Sequence, residues 1–125
     1  MISYRADVMD KQEMLERTRA FAVRIVRLVS ALPRGRTSDV LGRQVLKSGT
    51  SIGANYREAT RASSKRHFVT TLEIAAREAD ETLYWLELLA ETNTIGANRL
   101  TELIKENDEI IAILTATINT AKSRS

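Results

Sequence analysis

The sequence predicts an all-α fold, an antiparallel up-and-down four-helix bundle, and three observations carry that expectation. Apolar residues recur at spacings of three and four, the period of one helix face. One Pro and five Gly in 125 residues leave little to break long helices. Three short polar breaks divide the chain into four periodic stretches, and short connections make helices antiparallel neighbours. A chain of this length folds as one domain, 1–125, burying about two-thirds of the surface its unfolded form exposes. No linker, internal repeat or low-complexity segment calls for a second. The helices are expected at roughly 8–32, 38–61, 64–91 and 98–121.

The first helix is expected to start near Asp7 or Asp10 and to carry an inward seam of Met14, Thr18, Phe21, Ile25, Leu28 and Leu32. It ends at Pro33, because the residue before a proline is pushed out of the α region, and PRGRT supplies the turn. Thr37 or Ser38 is expected to cap the second helix, with Asp39 in its first turn. That helix holds the chain's unusual residues, and the other three read as its packing partners.

Its faces divide into four stripes. Leu41, Val45, Ile52, Tyr56 and Ala59 make the core face, and Gln44, Ser48, Ser51, Asn55 and Glu58 run beside them as a polar seam. Arg43, Lys47, Ala54, Arg57 and Arg61 form a basic stripe, and Gly42, Gly49 and Gly53 the last face. Each mid-helix Gly costs about 1 kcal/mol relative to Ala, so three on one face point to the close approach of another helix backbone. A break in the helix is the alternative.

Ser63 or Ser64 caps the third helix, whose seam reads Phe68, Leu72, Ala75, Ala79, Leu83, Leu86 and Ala90. Glu78 and Glu81 share a flank with Ile74, Trp85 and Leu88 and are expected to be partly desolvated. After the turn TNTIGAN the fourth helix carries Leu100, Leu103, Ile104, Asn107, Ile110, Ile111, Leu114 and Ile118.

Charge is strongly polarised. Arg17 to Arg66 holds twelve basic residues against two acids, Asp39 and Glu58, a local charge of +10; with +3 overall, the remainder carries −7. Such a surface attracts phosphate, and the predominance of Arg suits bidentate contacts. The equal alternative is that these arginines pair with Glu of the third and fourth helices, within a chain or between subunits. The polar seam, with Glu81 as a cross-helix partner for Lys47 or Arg43, reads as a hydrogen-bonded network of Ser48, Asn55 and Glu58. Such a network fixes helix register or subunit geometry, a reading preferred over a ligand site.

Catalysis is not expected. A di-iron bundle needs Glu-x-x-His on two helices, but the only histidine is His67 and position 64 is Ser. There is no Cys, no Gly-rich phosphate loop and no G-x-S-x-G, so no catalytic residue, metal ligand or cofactor is expected. His67 reads as a surface or capping residue, and Tyr84 and Trp85, amid leucines, as core and interface residues. The lack of Cys, of a membrane-spanning apolar run and of a signal-peptide pattern at the start fits a cytoplasmic protein.

Gln44, Lys47-Ser48, Ser51-Ile52, Asn55, Glu58-Ala59, Ser63 or Ser64, Phe68, Ile74-Ala75 and the run EADETLYWLELL from Glu78 to Leu89 resemble the bacterial 23S rRNA-intervening-sequence protein family. The resemblance spans about residues 20–92, and the last helix is similar in length and periodicity. Lys47 stands where the family often has Arg, and Ala59 where it commonly has Gly. The resemblance implies a short bundle that assembles into a homo-oligomeric ring, commonly a homopentamer, with no known enzymatic activity. A related branch serves as accessory protein to the reverse transcriptase of diversity-generating retroelements. Two functions are therefore expected of this chain. In one it binds RNA or DNA, with Arg17, Arg24, Arg43, Lys47, Arg57 and Arg61 as contacts and Gln44, Ser48, Ser51, Asn55, Glu58 and Glu81 as seam or interface. In the other the ring is a scaffold or adaptor for a protein partner, and its arginines are used in subunit salt bridges.

Overall fold

Four helices in chain order, α1 (Lys11–Ser30), α2 (Arg36–Thr60), α3 (Lys65–Glu91) and α4 (Ala97–Ser123), form an up-and-down bundle in a computed structural model that describes residues 10–124. The expected helical start near Asp7, and residues 8 and 9, lie outside the described residues. Each helix packs on its chain neighbours. The α2–α3 contact is the most extensive, and α1 and α4 touch only lightly.

The ends of the helices follow the turn chemistry, with two corrections. α1 stops at Ser30 rather than at residue 32. Its last turn tightens there, with the Ala31 and Leu32 amides bonding back to Leu28 and Val29 carbonyls at 3.0 and 3.2 Å, which releases the chain ahead of Pro33. α2 begins at Arg36, so Thr37 and Ser38 lie inside its first turn and neither is the cap. Gly35 occupies the cap position with φ of +148°, a conformation open to glycine alone, and its carbonyl accepts the Asp39 amide at 2.9 Å. Ser64 does cap α3, its hydroxyl accepting the His67 amide at 3.1 Å. α3 ends in a Schellman motif: Asn93 adopts φ of +55°, and the amides of Asn93 and Thr94 reach the carbonyls of Ala90 and Leu89.

The core follows the expected seams on three helices. Met14, Thr18, Phe21, Ile25 and Leu28 are buried on α1; Val45, Ile52, Tyr56 and Ala59 on α2; Leu100, Leu103, Asn107, Ile110, Leu114 and Ile118 on α4. Leu32 and Leu41 are only half-buried. On α3 the expected Phe68 is half-buried while Thr71 is buried, and the seam turns by one residue in the second half. Thr82 and Leu89 are buried, whereas Leu83 and Ala90 are half-buried. The Thr82 hydroxyl has a reason to face inward, lying 2.9 Å from the buried Ser48 hydroxyl of α2 and 2.7 Å from the Glu78 carbonyl. Asn107, fully buried, ties α4 to α3 by donating Nδ2 to the Ala79 carbonyl at 2.8 Å.

The glycine face of α2 lies against α1, as its three glycines require. A Cβ on Gly53 would stand 3.3 Å from the backbone carbonyl oxygen of Thr18, and one on Gly49 would stand 2.9 Å from two Ile25 carbons. α2 runs unbroken through all three glycines. Close approach explains them and a helix break does not: Gly53 lies against the backbone of Thr18, and Gly49 and Gly42 lie against the side chains of Ile25, Leu32 and Val29.

Candidate nucleic-acid interface

Antiparallel packing through Gly53 and Thr18 sets the surroundings of the basic residues. One turn beyond Gly53, α2 presents Arg57, and Arg61 follows at its C-cap; next to Thr18, α1 presents Arg19, with Lys11 two turns earlier. These four exposed cations line a groove of about 650 Å3 between α1 and α2. Its lining also includes Thr18, Ala22, Gly53 and Ala54, small residues that leave the channel open. Glu16 is the one carboxylate in the lining, and Gln12 Nε2 donates to it at 3.1 Å. Among the described residues none of the four cations has a carboxylate within ion-pair distance.

The six arginine and lysine candidates fall into different surroundings. Arg17 points to α4, where Nε and Nη2 donate to the two carboxylate oxygens of Glu106 at 2.6 and 2.8 Å and Nη2 also meets Glu109. The hydrogen bonds to Glu106 hold its guanidinium charged well above its ordinary range, against a smaller opposing effect of burial. Arg17 is thus bound within the chain, the expected alternative of pairing with Glu of the fourth helix, and is not held out to phosphate. Arg24 is exposed on α1 outside the groove. Arg43 is exposed and lines a smaller hollow of about 270 Å3 with Arg34 and Asp39. Lys47 is exposed near α3, and Arg57 and Arg61 are in the groove.

The polar seam does not join into one network within the chain. Ser48 is buried and bonded to the Gln44 carbonyl at 3.0 Å and to Thr82. Ser51 and Asn55, half-buried, bond within α2 to the carbonyls of Lys47 and Ser51 at 2.6 and 2.8 Å. Glu58 is exposed, 3.4 Å from His67 Nε2. Thr82, not Asn55 or Glu58, completes the contact of Ser48. Gln44 and Glu81 are exposed, and Glu81 forms no ion pair with Lys47 or Arg43. It is Glu78 that feels Lys47. Its carboxyl is raised by desolvation and by the like charge of Glu81, with Lys47 and Arg77 opposing. Glu78 alone is half-buried, so the expected desolvation holds for one of the two carboxylates. Tyr84 is exposed and Trp85 half-buried, their rings edge-to-face at 5.1 Å, so Tyr84 is no core residue.

Sequence reading left Arg19 and Lys11 out of the candidate set, as well as the groove threonines Thr50 and Thr60. The glycine face of α2 was the available signal, since whichever α1 residues pack on it bring their neighbours to the groove. No three or more His, Cys, Asp or Glu of the described residues come together to hold a metal, and no helix among them is long and apolar enough to cross a membrane.

A solved structure of a protein of unknown function from the S23 ribosomal protein family of Bacteroides thetaiotaomicron VPI-5482 is similar to this chain, with 40% identity and a TM-score of 0.83. The match covers 89% of this chain and 99% of that one. No curated protein matches. Residues 10–116 match the family described as 23S rRNA-intervening sequence protein, and the chain belongs to that family.

Proposed function

We propose that the protein is a non-enzymatic, homo-oligomeric nucleic-acid-binding or accessory protein that takes RNA or DNA through phosphate contacts on its α1–α2 face. The observation that carries this reading is the set of Arg19, Arg57 and Arg61, lying together around one groove without ion-pair partners among the described residues. Cations left uncompensated in this way bind phosphates by releasing condensed counterions, a term that needs no base recognition. Assembly into a ring, a homopentamer by the family resemblance, repeats the groove in every subunit and multiplies weak contacts into avidity. The name of the similar Bacteroides protein's family, S23 ribosomal protein, is in keeping with an RNA partner.

The test is fluorescence anisotropy of the protein with a structured RNA and a duplex DNA from low to physiological salt. Micromolar or tighter binding whose logarithm falls linearly with log salt is expected. Absence of binding at low salt would sink the proposal. A second reading, a scaffold whose arginines pair with carboxylates of neighbouring subunits, draws support from Arg17, which is used in that manner toward α4. It predicts that reversing Arg57 and Arg61 dissolves the oligomer while nucleic acid is bound weakly or not at all.

A further inference from the structure

We infer that the α1–α2 groove receives the sugar–phosphate backbone of a nucleic acid, and that it does so without touching the bases. The inference rests on the nucleic-acid reading above and deepens it, from attraction to phosphates to a seat for the backbone that excludes the bases. Three features of the groove carry it.

The first is the position of charge. Arg19 stands on the α1 wall, and Arg57 and Arg61 stand one turn apart on the α2 wall, all exposed. Arg57 lies in the last turn of α2 and Arg61 caps its C-terminus, so this end of the α2 wall presents two guanidinium groups to one channel. A linear polyanion matches this set better than a single phosphate does.

The second is the small size of the α2 residues in the lining. Gly53 and Ala54 are the smallest residues available, and Gly53 is held without a side chain by its approach to Thr18. The channel is therefore kept open by the same packing that joins α1 to α2. Thr50 and Thr60 add hydroxyls to the α2 wall. Each is already bonded to a carbonyl of its own helix, at 2.7 Å, so their oxygens line the channel without adding charge.

The third is what the lining lacks. Among the described residues no aromatic side chain borders the groove. Proteins that hold single strands by their bases use stacking platforms of Phe, Tyr, Trp or His. Tyr84 and His67, exposed on α3, both lie outside the groove lining. With no stacking surface, affinity here is set by phosphates, and base identity contributes nothing.

The experiment is competition against a fluorescent RNA strand by an intact unlabelled strand, an abasic sugar–phosphate strand and inorganic polyphosphate, at equal phosphate concentration. The abasic strand should displace the probe within about twofold of the intact one, and the log–log salt slope should fall by about 2 in R19E/R57E/R61E, as for three lost single-strand phosphate contacts. R24E/R43E/K47E makes the same change of net charge outside the groove and should cost distinctly less affinity. Ala54→Trp fills the channel with every charge kept and should weaken binding like the charge-reversed groove. Circular dichroism and melting temperature establish that each variant is folded.

Three results would overturn the inference while leaving nucleic-acid binding in place: an abasic strand that fails to compete, equal losses in the two charge-reversed variants, or no effect of Ala54→Trp. Displacement by polyphosphate far beyond that by either strand would assign the groove to a phosphoanhydride chain and overturn its assignment to nucleic acid. Failure of the unaltered protein to bind any strand would remove both the inference and the function it rests on.

Discussion

Arg17 and the groove arginines come from the same basic half of the chain and meet opposite fates. α1 lies between two neighbours. On one side is α4, whose Glu106 and Glu109 neutralise Arg17; on the other is α2, which is itself basic and leaves Arg19, Arg57 and Arg61 without an ion-pair partner among the described residues. The two contacts also differ in kind. The α1–α2 contact is held by close backbone packing over glycine, whereas the lightly packed α1–α4 contact has a forked ion pair across it. Local charge density thus does not decide which cation is available to a ligand; the helix lying opposite does.

Gly49→Val should have the largest effect on the α1–α2 side. Its side chain would meet buried Ile25 well inside van der Waals contact, and neither residue can yield without moving a helix. A loss of about 3 kcal/mol in urea denaturation is expected. Gly42→Ala sharpens the point: its new Cβ would meet only the ends of Leu32 and Val29, at 3.2 and 3.4 Å. Better helix propensity offsets that contact, and stability should stay within about 0.5 kcal/mol of the parent.

Next in size is Arg17→Ala, which leaves the Glu106 carboxylate without its fork. Denaturation should show a loss of about 1 kcal/mol that shrinks in high salt, with the affinity for nucleic acid little changed. Arg57→Ala should do the reverse: stability moves by less than about 0.5 kcal/mol, and nucleic-acid affinity falls. If both substitutions had the same effect on both measurements, the distinction between the two sides of α1 would be gone.

The smallest effect concerns Glu78. Its carboxyl titrates higher in the folded chain, so the folded state holds that proton more tightly than the unfolded one. The resulting destabilisation is absent below the ordinary carboxylate range and complete above the raised value. Stability contributed by this group therefore falls as pH rises through that interval. Glu78→Gln should raise the melting temperature at neutral pH, and the gain should vanish in acid. A lower melting temperature at neutral pH would mean that attraction to Lys47 and Arg77 outweighs desolvation.

Periodicity made the helices legible, and it misled at helix ends, where Leu32 and Leu41 are half-buried, and where a polar group takes a core position. The seams of α1 and α2 read directly because Phe21, Ile25, Val45 and Ile52 repeat at helical spacing. On α3 the leucine at 83 drew the seam away from Thr82, whose inward position depends on a hydroxyl on another helix. Thr37 and Ser38 have cap chemistry, yet the chain reverses at Gly35, where backbone conformation outranks side-chain preference. The glycine face was readable as close packing, but not the identity of the helix packed on it. For the same reason Arg17 looked available and Arg19 unremarkable: stripes on one helix carry no information about the partner across the seam.

The order of contacts also has a kinetic consequence. Most packing joins helices adjacent in the chain, and the contact that closes the bundle, between α1 and α4, is the slightest. Loop-closure entropy for neighbouring hairpins is small, so folding should be fast for a domain of this size. The Arg17–Glu106 clasp joins residues 89 apart in sequence and should form after the rate-limiting barrier. Arg17→Ala is then expected to speed unfolding in stopped-flow measurements and leave the refolding limb in place, making the clasp a brake on opening rather than a guide to folding.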